Sequence, residues 1–249
     1  MTRPVALITG ASHGIGAATA RMLAAEGFDI CVNYRSDHQA AENVVADCEA
    51  LGVRAASVSA NVGDPDDVQR LFAECDAELG PVTCLVNNAG IIGSACRLEE
   101  LSPELLASTF AINTFGVFYC TQQAALRMST RHGGAGGSII NMSSIAAMLG
   151  SPNEYVHYAA SKGAVESLTA GSGKELAPEG IRVNAIRVGT TNTRIHSEGG
   201  NPARPAKIAA LTPMGRIAEP EDIARAVVWL ASPGAGFVTG TTITVSGGF

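Results

Sequence analysis

Charge and aromatic side chains are scarce in this sequence. Only 16% of residues are charged and 5% aromatic, with a single tryptophan. Positive charge is the scarcer sign, 17 Lys and Arg against 23 Asp and Glu, for a net charge of −6. With no long basic run, nucleic acid and anionic membranes are not expected as partners. No uninterrupted apolar run approaches the ~18 residues of a membrane span. The most apolar long stretch, 105–126, is broken by Asn113, Gln122 and Gln123. Six cysteines (Cys31, Cys48, Cys75, Cys84, Cys96, Cys120) make no C-x-x-C pair and no metal-ligand spacing. No metal is therefore expected, and the thiols read as core or surface residues of a reduced, cytoplasmic protein. The opening "MTRPVALITG" lacks the apolar region and cleavage site of a signal peptide, which agrees with that compartment. What the chain does have is 46% hydrophobic residues over 249 positions, enough to bury one α/β core.

Strand-like and helix-like segments alternate. Short apolar runs at 5–9, 29–34, 53–60, 82–88, 137–143, 181–188 and 241–246 read as seven buried strands. Helical periodicity fills 14–27, 38–52, 65–80, about 102–130, about 154–177 and 219–232. Pro65 and the two aspartates after it suit a helix start. Strict alternation predicts a doubly wound parallel sheet with helices on both faces, as one domain over 1–249. No repeat or linker divides the chain, and the glycine-rich "RHGGAGGS" (131–138) reads as a turn into a strand.

Two local patterns carry chemistry. In "TGASHGIG" (9–16), Gly10, Gly14 and Gly16 lie between the first strand and the first helix. Glycines there let the backbone approach a pyrophosphate held at the helix N-terminus. The alternative is a tight turn with glycines for packing alone. In "YVHYAASKG" (155–163), Tyr158 and Lys162 stand four apart and share a helix face. A nearby ammonium favours the phenolate, so the pair is a candidate acid/base unit.

"TGASHGIG", "NNAG" (87–90), Asn113, "SS" (143–144) and "YAASK" (158–162) occur in an order and spacing that resembles the short-chain dehydrogenase/reductase family, over essentially the whole chain. The resemblance implies a Rossmann-type fold and hydride transfer between nicotinamide C4 and a carbonyl carbon. It implies that Tyr158 is the general acid/base, and that Lys162 lowers the tyrosine pKa and holds the cofactor ribose. Ser144, preferred to Ser143, would bind the substrate oxygen, and Asn113 would support a proton path to the lysine. It implies cofactor contacts from Gly10, Ser12, His13, Gly14, Ile15 and Gly16, from Asn88, Ala89 and Gly90, and from Tyr158 and Lys162. Asn61 and Val62 are candidates for adenine contact, although the family usually has aspartate at 61. Tyr155 is expected to line the substrate pocket and His157 to be exposed.

Cofactor choice rests on "CVNYRSD" (31–37), where Tyr34 stands at the position of the aspartate usual in NAD-dependent members and Arg35 follows. A guanidinium suits a 2′-phosphate, so NADP is expected. NAD is the alternative, with Arg35 solvated and Asp37 on the ribose hydroxyl. Val188-Gly189 replaces the family's usual proline-glycine, so residue 188 carries an N–H that needs a partner. Gly189, Thr191 and Thr193 are expected at the nicotinamide. Residues from about 190 to 213 resemble the family's variable substrate lid, made mildly basic by Arg194, His196, Arg204 and Lys207. The expected partner is a small carbonyl or alcohol substrate, and the family resemblance implies a homotetramer. A dinucleotide-binding regulator without turnover is the second reading.

Overall fold

Seven strands form one sheet in the order β3-β2-β1-β4-β5-β6-β7, with every neighbouring pair parallel. They are β1 (Val5–Ile8), β2 (Asp29–Tyr34), β3 (Ala55–Ser59), β4 (Cys84–Asn87), β5 (Gly137–Ser144), β6 (Ile181–Val188) and β7 (Thr242–Val245). The computed structural model describes residues 3–195 and 204–249. The chain runs outward from β1 to β3, then returns to β4 on the other side of β1. That reversal opens a crevice at the carboxyl ends of β1 and β4, where such sheets bind ligands.

Helices α1 (Gly14–Ala25), α2 (His38–Glu49) and α3 (Pro65–Glu78) follow the first three strands. Next come α4 (Pro103–Phe110) and α5 (Gly116–Met128), then the single turn α6 (Ala146–Leu149) and the long α7 (Val156–Leu176). Helices α8 (Arg204–Leu211) and α9 (Pro220–Ala231) precede β7. Asp37 caps α2 by accepting from Ala40 N–H at 3.1 Å, and Asp64 caps α3 by accepting from Asp66 N–H at 2.9 Å. Strand residues alternate between two apolar layers. Ala6 and Ile8 pack with Leu23, Ile140, Ile186 and Val227, whereas Val5 and Leu7 pack with Leu71, Phe72, Leu85 and Ile139.

The expected helix over 102–130 is interrupted. Ala111–Phe115 forms a π-helical segment between α4 and α5. The extra residue per turn sets Asn113, which is fully buried, against the loop after β4. Five cysteines are buried, Cys96 is partly exposed, and all six are free thiols. Among the described residues no helix is long and apolar enough to cross a membrane.

Candidate active site

A cavity of about 740 Å³ runs across the carboxyl ends of the central strands. Its floor at one end is the glycine-rich turn. Gly10 has φ +62° and Gly14 φ +53°, a region that disfavours side chains. A Cβ on Gly10 would stand 3.0 Å from Ala89 Cα. The turn is fixed by polar groups that apolar strands deliver. Asn33 Oδ1 accepts from Gly10 N–H at 3.2 Å, while its Nδ2 donates to the Val58 and Ala60 carbonyls. Thr9 Oγ1 accepts from Asn88 N–H (2.9 Å) and Ala89 N–H (3.0 Å), and Asn88 Nδ2 donates to the Thr9 and Gly10 carbonyls. "NNAG" therefore clamps the turn to β4. Thr9 and Asn33 were not foreseen; a buried asparagine inside "DICVNY" was the available signal.

Helix α1 starts with no side-chain cap from His13 and no acidic residue in its first turn. Its leading N–H groups are open at the crevice, the arrangement that accepts an anionic phosphate. Ser12, His13, Gly14 and Ile15 line the cavity, as do Asn61, Val62, Asn88, Ala89, Gly90, Gly189, Thr191 and Thr193. Gly16 does not. A Cβ there would fall 2.6 Å from Asn88 Nδ2 and from the Gly10 carbonyl, so Gly16 is a packing glycine. Tyr34 is also not a lining residue. Its side chain packs beside the apolar layer under α2, and its hydroxyl bonds His38 Nδ1 at 2.9 Å. Arg35, the next residue, does line the cavity, and its guanidinium makes no ion pair with another described residue. Asn61 Oδ1 accepts from Gly63 N–H at 3.2 Å, closing its own turn.

The other end holds the titratable set. Ser144 ends β5, and its hydroxyl lies near enough to the Tyr158 phenol to pull the phenol's pKa down. Ser143 Oγ instead donates to Glu166 Oε1 at 2.7 Å, and Glu166 holds Arg187 of β6 through two bonds of 2.9 and 2.6 Å. The geometry thus puts Ser144, not Ser143, beside Tyr158. Met142 lies just past the last β4–β5 pair, Asn87–Asn141, so its carbonyl is left outside the ladder. Lys162 Nζ donates to that carbonyl at 2.8 Å. Lys162 is 4% exposed, and burial pulls its pKa down to about 8. The ammonium sits 5.8 Å from the centre of the Tyr158 ring. Burial accordingly pushes the Tyr158 pKa up, against the pull of the Ser144 bond. The direction is opposite to the lowering expected from Lys162, because desolvation is the largest cause.

Asn113 Oδ1 accepts from Ile91 N–H (2.8 Å), and its Nδ2 donates to the Ile91 carbonyl (2.8 Å) and Ser161 Oγ (3.1 Å). It braces α7 against the loop after β4. A Cβ on Gly90 would meet Asn113 Oδ1 at 3.3 Å and Lys162 Nζ at 3.5 Å, so a side chain there would crowd both groups. Tyr155 lines the cavity, as expected. His157 is not exposed: it is 3% exposed, with Nε2 at 3.1 Å from the Ile92 carbonyl, and burial lowers its pKa. Val188 closes β6 in register with Ser144 and Val245, and its carbonyl accepts from Ile145 N–H at 3.0 Å. Its own N–H lies on that same edge and faces β5. His196 lies outside the described residues.

Known proteins resemble this chain along nearly its whole length. A family model described as enoyl-(acyl carrier protein) reductase matches residues 10–249. An uncharacterized oxidoreductase of Escherichia coli K12, YgfF, is 43% identical over 98% of this chain and 99% of its own. An L-rhamnose 1-dehydrogenase (NAD(P)(+)) of a Sphingomonas species is 38% identical over 97% of this chain and 94% of its own. A crystal structure of a short-chain dehydrogenase from Burkholderia cenocepacia, in complex with NADP, superimposes with TM-score 0.90 at 34% identity, covering 99% of this chain and 98% of that one. With the seven-stranded parallel sheet and its open glycine-rich turn, these matches identify the chain as a member of the short-chain dehydrogenase/reductase family of oxidoreductases.

Proposed function

We propose that the protein is an NADP-preferring oxidoreductase that interconverts a small carbonyl compound and its secondary alcohol, in the cytoplasm and as a homotetramer. The observation that carries this reading is the meeting, in one cavity, of an uncapped glycine-rich helix start with the Ser144–Tyr158–Lys162 group. The open N–H groups of α1 suit the dinucleotide pyrophosphate, and Arg35 suits a ribose 2′-phosphate. Lys162 would hold the nicotinamide ribose, and Thr191 and Thr193 the carboxamide end. Bound NADPH supplies a hydride to the carbonyl carbon. Ser144 orients the carbonyl oxygen, and Tyr158 Oη delivers the proton that balances the hydride. In the oxidation direction Tyr158 takes that proton from the alcohol. A phenol kept protonated by burial suits reduction. The relatives named above include a sugar dehydrogenase, and the family match carries a carrier-protein reductase description. Sugars, ketones and aldehydes are therefore the substrates to test. NADPH oxidation followed against that panel, in parallel with calorimetric binding, is the experiment. Turnover with one of them supports the reading. Tight binding without turnover on any would favour a dinucleotide-binding regulator.

A further inference from the structure

Strand β5 outruns β4. The last β4–β5 pair is Asn87–Asn141, whereas β6 stays in register with β5 through Met142–Ile186, Ser143–Arg187 and Ser144–Val188. Residues 142–144 therefore have a neighbouring strand on one side only, and Ser144 has to meet Tyr158 from that half-supported end. Helix α7 supplies the remaining holds. Tyr158, Lys162 and Glu166 recur at every fourth residue and share one helix face. They meet successive residues of β5: Tyr158 stands beside Ser144, Lys162 Nζ donates to the Met142 carbonyl at 2.8 Å, and Glu166 Oε1 accepts from Ser143 Oγ at 2.7 Å. Ser143 is buried, and its hydroxyl has one hydrogen to give. The other acceptor in reach, the Lys162 carbonyl, is 3.5 Å away, so the hydrogen goes to Glu166. Glu166 is itself pinned. Arg187 donates to Oε1 from Nε at 2.9 Å and to Oε2 from Nη2 at 2.6 Å, and its Nη1 donates to Thr244 Oγ1 at 3.1 Å. Ser143, Arg187 and Thr244 form one cross-strand row from β5 through β6 to β7. A two-point guanidinium–carboxylate pair fixes direction as well as distance, so the acceptor offered to Ser143 is rigid.

We propose that Ser143, anchored by the Glu166–Arg187 pair, is a positioning residue that holds the end of β5 so that Ser144 meets Tyr158. The inference rests on the oxidoreductase reading above. The Ser143 hydroxyl is spent on Glu166, and it acts on the reaction through the next residue. An anchor that served only the fold would change stability and leave the rate alone. An anchor that aims Ser144 changes the rate at saturating substrate, because a displacement of about 1 Å can cost on the order of 100-fold.

The test is steady-state kinetics of the full-length protein with NADPH and the best carbonyl substrate of the panel, beside calorimetric NADPH binding and thermal midpoints. Ser143→Ala leaves the Glu166–Arg187 pair in place. It should lower kcat about 10-fold or more with NADPH affinity unchanged. Glu166→Ala takes away the acceptor and should lose at least as much. In a Ser144→Ala background, the same Ser143→Ala change should cost less than about 2-fold, because the group it aims is gone. A full further loss in that background would overturn the proposal, since Ser143 would then act by another route. So would wild-type kcat in either single variant, whatever its midpoint, which would leave the network a stabiliser of the fold alone. A loss confined to NADPH affinity would overturn it as well. A wild type that turns over no substrate of the panel would overturn the oxidoreductase reading and this proposal with it, a result distinct from the others.

Discussion

Lys162→Met should flatten the protein's stability profile on the alkaline side. Lys162 is buried, and its pKa falls from 10.5 to about 8. Its folded value lies below its unfolded value, so the unfolded chain holds the extra proton between them. Stability therefore rises with pH through that window, and the gain is lost as pH falls through about 8. At 1.36 kcal/mol per pH unit the full span is about 3 kcal/mol, most of which falls between pH 7 and pH 10. Methionine also removes the bond to the Met142 carbonyl, which offsets the whole profile, while its pH-dependent part is fixed by the folded and unfolded pKa values. The quantity to measure is the difference between wild type and variant in urea-unfolding free energy, at fixed protomer concentration, from pH 7 to pH 10. Cys84 and Cys120, both pushed up to about 12, lie above that window and are common to both proteins. The difference should move in favour of wild type by about 2–3 kcal/mol. A difference constant within about 0.5 kcal/mol would mean that Lys162 is solvated and that the site is built differently.

Arg35→Ala should weaken NADPH binding by about 1.5–3 kcal/mol and leave NADH nearly unchanged, as read by calorimetry. Equal losses would show that Arg35 does not read the 2′-phosphate. Gly16→Ala puts a Cβ 2.6 Å from the Gly10 carbonyl and should lower the thermal midpoint and abolish dinucleotide binding together. A variant with wild-type midpoint and affinity would contradict the packing assigned to that turn. Phe115, Phe118, Leu126, Trp229 and Phe237 are between 41% and 105% exposed, apolar surface that suits burial between subunits. Multi-angle light scattering should find a tetramer at micromolar concentration, and a monomer would refute that assembly.

The sheet was legible because parallel strands buried on both faces read as near-continuous apolar runs, as "VALI" (5–8) does. The crevice was legible because Gly10 and Gly14 need left-handed backbone just where a helix begins. Side-chain direction was not. Tyr34 and Arg35 are neighbours in sequence, yet Tyr34 turns under α2 and Arg35 into the cavity. His157 reads as solvated until the loop after β4 folds back and offers it the Ile92 carbonyl. The π segment at Ala111–Phe115 holds no proline or glycine to mark a break and so reads as ordinary helix. The Tyr158–Lys162 spacing is visible in the sequence, but the Met142 carbonyl that holds the ammonium is open only because β4 stops at Asn87.

The central claim is that Tyr158 moves the proton in a hydride-transfer reaction, and a single-turnover comparison of wild type with Tyr158→Phe tests it most directly. Both proteins are preloaded with NADPH, mixed with the best carbonyl substrate from the panel, and followed at the nicotinamide absorbance. Phenylalanine keeps the ring beside Lys162 and removes only the hydroxyl shared with Ser144. NADPH affinity should be unchanged and the rate of NADPH oxidation lower by about 100-fold or more. A variant that oxidises NADPH at the wild-type rate would contradict it.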